Sequence, residues 1–137
     1  MTEKSTIAKM YSDLINALDG IVERKYIFSG GRPDIKEADL EKMTKYIVVE
    51  LPVTIEDFAV GNHKFHLNTT GVFYLISQAK KNKTFNVNAL SDFTDEVTDR
   101  FPIRGEYIAA TNPTVLMSGM DEYGYQIVTV TFDVHTK

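Results

Sequence analysis

The stretch Tyr123 to Lys137 restricts the fold more than any other part of the chain. From Gln126 it alternates strictly. Val128, Val130, Phe132 and Val134 fall on one side, and Ile127, Thr129, Thr131, Asp133 and His135 on the other. A period of two built largely from β-branched residues predicts a half-buried strand. Its apolar side has to be covered, and helices elsewhere in the chain are the natural cover. The strand runs almost to Lys137, so this terminus is expected to be tied into a sheet.

The clearest helix is expected over Ser5 to Leu18, where Ile7, Met10, Tyr11, Leu14, Ile15 and Leu18 share one face. Ser5 or Thr6 can cap its start, and Asp19-Gly20 supplies a stop. Ile21 to Phe28 suggests a strand interrupted by Glu23-Arg24-Lys25. Ser29 to Pro33 is a loop, because two glycines and a proline exclude a regular element. Asp34 to Met43 suggests a short helix. Lys45 to Ile55 reads as a strand in which Tyr46, Ile47, Val48 and Val49 demand burial on both sides or a bend, with Pro52 marking an edge or disturbed pairing. Gly61-Asn62 is a turn signal before a short strand, His63 to Leu67. A strong strand follows over Gly71 to Ala79.

Lys80, Lys81 and Lys83 then make an exposed basic turn. A second helix is expected from Val87 to Asp99, capped by Asn86 or Asn88, with Val87, Leu90, Phe93, Val97 and Phe101 at helical spacing and Pro102 ending it. Arg104 to Ala110 and Thr114 to Met117 are strand-like pieces separated by Asn112-Pro113, and Ser118 to Gly124 is a turn. Strands with inserted helices, rather than strict βαβ alternation, predict a single α+β domain over residues 1–137. A mainly antiparallel sheet would pack against the N-terminal helix and the second helix.

A chain of 137 residues can bury one sizeable core. It has no cysteine, which removes disulfides and thiolate metal sites. Its formal charge of -4 argues against general affinity for nucleic acid or anionic membrane. No apolar run approaches the roughly 20 residues that span a bilayer, so no membrane partner is expected. The polar start, Met1 to Thr6, lacks the apolar stretch of a signal peptide, and a cytoplasmic chain is expected.

Residues that could carry chemistry do not gather into a motif. His63 and His66 are three apart, which on a strand places them on opposite faces, so they would not converge on a metal. Gly30-Gly31-Arg32-Pro33 lacks the Lys and Ser/Thr of a phosphate loop. Asp92, Asp95, Glu96 and Asp99 read as a solvated helix face that can meet a basic neighbour. Lys80, Lys81 and Lys83, beside Phe85, form the basic cluster that would touch DNA if the protein lined a channel. No catalytic residue, cofactor-binding residue or metal ligand is assigned. The outer face of the closing strand, from Ile127 to His135, is the expected place for function.

The order of these elements resembles the phage tail-terminator and tail-completion family, and more broadly the small ring proteins of the head-to-tail junction. The likeness is carried by the amphipathic helix Thr6 to Leu18, the extended apolar Lys45 to Val49, the strand Gly71 to Ala79 leading into the helix Val87 to Asp99, and the closing strand Tyr125 to Val134. It covers nearly the whole chain and is one of layout, so no site is carried over residue by residue. The piece Asp34 to Met43 departs from the layout as an insertion would.

The resemblance implies a non-enzymatic structural virion protein, assembled in the cytoplasm of a bacterial host. Copies would form a homo-oligomeric ring, a hexamer for a tail terminator, that contacts tail tube and neck or connector proteins. The exposed edge near Pro52, the loops Ser29–Pro33 and Ala59–Thr70, and the acidic helix are the surfaces expected to serve such a ring. Two other readings fit the same residues. One is a small α+β binding module or enzyme with a pocket between sheet and helices, using His66, Tyr74 or Tyr107. The other is an accessory protein of a phage-tail-like system.

Overall fold

A computed structural model describes residues 6–31, 43–51, 68–80, 82 and 84–136. Helix α1 spans Thr6–Ala17 and helix α2 spans Val87–Thr98. The strands are β1 (Ile27–Ser29), β2 (Lys45–Glu50), β3 (Asn68–Gln78), β4 (Ile103–Arg104), β5 (Ile108–Met120) and β6 (Tyr125–Thr136). They form one six-stranded sheet in the order β1-β2-β3-β6-β5-β4. Only β1 and β2 run parallel; every other neighbouring pair is antiparallel. The architecture is therefore α+β, as the element order predicts.

The closing strand buries the side its pattern assigns. Val128, Val130, Phe132 and Val134 are buried with Phe73 and Leu75 of β3 and Ile47 and Val49 of β2. Met10 and Leu14 of α1, Leu18 just beyond it, and Leu90, Phe93 and Val97 of α2 close over them. Burying each such side chain contributes roughly 1.5–3 kcal/mol, which exceeds the weak intrinsic preference of a 12-residue helix for its own conformation. Ile7 does not join this face and stays exposed.

Polar side chains fix the helices at their ends. Asp13 Oδ2 accepts from the backbone N–H of Tyr107 (2.8 Å) and of Ile108 (3.0 Å), joining α1 to the start of β5. Arg100 Nη1 donates to the carbonyls of Ala17 (3.0 Å) and Asp19 (2.9 Å), satisfying acceptors that the end of α1 leaves open. Asn86 caps α2 by accepting from Ala89 N–H. Its own backbone is gripped by buried Gln126, whose Oε1 accepts from Asn86 N–H at 2.8 Å. Gln126 Nε2 donates to Asn86 O and to Ser77 Oγ.

Tyr46, Ile47, Val48 and Val49 are all fully buried, which the four-residue apolar run requires. Ile47 and Val49 enter the core under the helices. Tyr46 and Val48 enter a second cluster on the other side of the sheet, with Met43, Ile76 and Tyr125. There Tyr46 meets Phe28 and Tyr125 edge-on, at centroid distances of 5.8 and 5.5 Å. The Tyr125 hydroxyl donates to the Met43 carbonyl at 2.7 Å.

Five expected boundaries change. Ile21 to Phe28 is not one strand, because Arg24–Tyr26 forms a 3-10 turn and only Ile27–Ser29 joins the sheet. Gly20, at φ +87°, turns the chain out of α1 and sends Ile21 into the core instead. Arg104 to Ala110 is not one strand either. Gly105 N–H donates to Ile108 O at 2.8 Å, folding β4 back on Ala109 and Ala110.

Asn112-Pro113 does not divide β5; the ladder slips between Thr111 and Thr114 and continues. Asn112 takes a φ of +57° while its amide donates to Asp133 Oδ2 at 3.0 Å. The loop expected from Ser118 is shorter, since β5 reaches Met120 and Asp121 Oδ1 closes the turn by accepting from Tyr123 and Tyr125 N–H. Strand β3 begins at Asn68, so residues 68–70 belong to the sheet rather than to a loop. The short helix expected from Asp34, the residues from Pro52 to Ile55, the Gly61-Asn62 turn and the His63 to Leu67 strand lie outside the described residues.

Candidate interaction surface

The face of the sheet turned away from the helices is an ordered lattice of side chains. Residues paired in register share a face, so Val48, Tyr74, Thr129 and Leu116 form one row across β2, β3, β6 and β5. Glu50, Val72, Thr131 and Thr114 form the next. Tyr46, Ile76 and Ile127 form the row on the other side. This face changes character along β6. Tyr125 and Ile127 pack into the second apolar cluster, Thr129 and Thr131 are half-buried, and Asp133 and His135 are exposed.

Beyond this face, β5 carries an exposed edge. Strand β4 pairs only with Ala109 and Ala110, so among the described residues Thr114–Met117 has a ladder partner on the β6 side alone. Two register slips bracket the segment, one at Asn112-Pro113 and one between Met117 and Gly119. Gly119, at φ +103°, adopts the backbone the second slip needs. Between them Val115, Leu116 and Met117 are 44%, 64% and 57% exposed. Val115 and Met117 lie in register with Val130 and Val128, on the helix side, while Leu116 lies on the outer side. A short regular edge with apolar residues on both faces and open main-chain groups is a template for another strand.

A shallow pocket of about 290 Å³ lies on the outer face among these rows, between Glu50, Tyr74, Ile127 and Ser118. The Ser118 and Thr129 hydroxyls bond each other at its rim. Burial raises the Tyr74 phenol above its ordinary value of 10.0, and the negative charge of the nearby Glu50 carboxylate adds to the shift. A larger groove of about 820 Å³ lies between α1 and the β4–β5 turn, and Asp13, Arg100 and Tyr107 border it. Its Asp13 and Arg100 are committed to backbone groups, and Lys9 sits over the Tyr107 ring at 5.6 Å. Core side chains pack between sheet and helices, and a further groove of about 430 Å³ opens between α2 and the ends of β2 and β3, bordered by Lys45, Ser77, Asp92 and Glu96.

The structure does not unite the residues that drew attention in the sequence. Tyr74 and Tyr107 pack against different clusters on the two sides of the sheet. His63 and His66 are outside the described residues, and His135 is exposed near the end of β6. Asp92, Asp95 and Glu96 are exposed on α2 and Asp99 at its C-cap, and Glu96 meets Lys45 at 3.9 Å, a half-exposed pair of small energetic weight. Of the basic turn, Lys80 is exposed, while Lys81 and Lys83 lie outside the described residues. Among the described residues no group of three or more His, Asp or Glu is placed to hold a metal, and no helix is long and apolar enough to cross a membrane. The β5 edge escaped the sequence because Asn112-Pro113 and Gly119 read as breaks; the apolar Val115-Leu116-Met117 between them was the available signal.

The chain matches no protein-family model and no curated protein. It does share its fold with solved structures. One is similar over 100% of this chain and 97% of its own, with a TM-score of 0.61 and 12% sequence identity, and the name it carries states no activity.

Proposed function

We propose that this protein is a non-enzymatic structural subunit of a phage neck or tail, assembling laterally into a ring that terminates the tail tube or joins it to the head-to-tail connector. The observation that carries the proposal is the Thr114–Met117 edge, with its exposed Val115, Leu116 and Met117. A closed ring needs a heterologous contact between two different surfaces of one subunit. Among the described residues the sheet offers two different edges, β1 at one end of the strand order and, near the other end, the part of β5 that β4 leaves unpaired. Adding a neighbour's strand to such an edge supplies main-chain hydrogen bonds, and the flanking apolar side chains supply burial. The layout of helix, apolar strand, long strand, helix and closing hairpin supports the same reading.

The test is native mass spectrometry across a concentration series, with and without isolated tail tubes. The expected result is a defined multimer, a hexamer for a terminator, that caps tubes. Leu116→Lys should leave the fold intact, because surface changes of this kind usually stay within about 0.5 kcal/mol, yet shift the multimer to monomer by placing a charge on the edge. A strict monomer at every concentration that also fails to bind tubes would overturn the proposal.

A further inference from the structure

We infer that the pocket on the outer face of the sheet binds a lysine or arginine side chain presented by a protein partner. Its walls are apolar, formed by Val48, Ile76 and Ile127, and its volume is about 290 Å³. That is at the lower limit of the roughly 300–1,000 Å³ typical of small-molecule and cofactor sites, and it suits one side chain. Glu50 is the charged residue of the lining. Tyr74 lines the pocket beside it, close enough for the Glu50 charge to act on its phenol. The Ser118 and Thr129 hydroxyls bond each other, and Glu50 is the lining group whose charge would select a cation.

Apolar walls with one carboxylate complement a long aliphatic stem ending in a cation, which is the form of lysine and arginine. Continuity points to a macromolecular source. Leu116, on the open edge of β5, is the neighbour of Thr129 in the row that continues through Tyr74 and Val48. A segment seated on the edge therefore reaches the pocket, and the inference does not require that segment to be a second copy of this chain.

The test uses N-acetyl-arginine methylamide, with the uncharged citrulline analogue as control, titrated into the whole protein and followed by amide and methyl NMR shifts. Saturable shifts centred on Val48, Tyr74 and Ile127 are expected, with the arginine probe bound about two- to fivefold more tightly than citrulline, the worth of a half-exposed ion pair. Glu50→Gln should erase that preference and Glu50→Asp should keep part of it. The citrulline comparison on the unmodified protein stands even where a variant folds poorly. Equal binding of the two probes, or shifts that map elsewhere or do not occur, would overturn the inference. Leu116→Lys, which lies outside the pocket lining, should still bind the probe, so loss of the ring and loss of the pocket read out separately.

Discussion

Gly71 is the position where the packing of the core can be tested most sharply. It lies directly opposite Phe132 in the β3–β6 ladder, and the Phe132 ring covers the space a side chain would need. A Cβ built on Gly71 would sit 2.6 Å from Phe132 Cζ, well inside van der Waals contact. The ring has little room to yield, because Phe73 and Phe101 hold it at centroid distances of 4.6 and 5.1 Å. Two effects oppose each other in Gly71→Ala. Reduced freedom of the unfolded chain stabilises by about 0.4–1 kcal/mol, and overpacking costs about 1–3 kcal/mol. With a clash this deep the second wins, and a net loss of about 1–2 kcal/mol is expected from these two terms. Urea unfolding followed by circular dichroism measures it, with the slope unchanged if the native and unfolded states keep their compactness. Phe132→Leu alone should also destabilise, but the double variant should recover part of the sum, giving a coupling of about 0.5 kcal/mol or more. A neutral Gly71→Ala, or a strictly additive double variant, would show that the ring is not wedged as described.

Gln126→Leu keeps the volume of a buried side chain but takes away the partners that Gln126 gives the Asn86 N–H and the Ser77 hydroxyl, and should cost about 1–3 kcal/mol in thermal or urea unfolding. No change would mean that water replaces the three bonds. Tyr74 has a folded-state pKa raised above 10.0, so the folded protein holds its proton more tightly than the unfolded chain. The stability this gives is present below pH 10 and is lost as pH rises through the folded value. Tyr74→Phe should therefore flatten the fall in melting temperature above pH 10, and the absorbance change near 295 nm on alkaline titration should lose a component that titrates above pH 10. A difference between the two proteins confined to lower pH would refute that assignment.

Much of the fold was legible because burial imposes a period. Val128, Val130, Phe132 and Val134 could be assigned to one face from sequence, and the unbroken Tyr46-Ile47-Val48-Val49 run correctly demanded cover on both sides of the sheet. Helix α2 and its Asn86 cap followed from spacing and capping chemistry. What escaped were features decided by a partner distant in the chain. Pro113 is compatible with β5 because its outer side is an edge, and nothing local reveals that. Ile21 reads as strand by propensity, but tertiary packing carries it into the core as part of a turn. The outer-face pocket draws on β2, β3, β5 and β6, and becomes visible only once the register between them is known.

The bond from Asp13 to the backbone at Tyr107 links positions 94 residues apart, and its mate at Ile108 spans 95. The central ladder likewise joins Asn68 at the start of β3 to His135 near the end of β6. These contacts place the chain among topologies of high contact order, in which loop closure has to precede the interactions that reward it. During synthesis α1 emerges well before its anchor point at Tyr107 and before the strand β6 that it helps to cover. A ribosome must release most of the chain before the sheet can close. Until β6 is available β3 lacks the partner for its edge away from β2, and an unpaired strand edge is a site for pairing with the wrong strand.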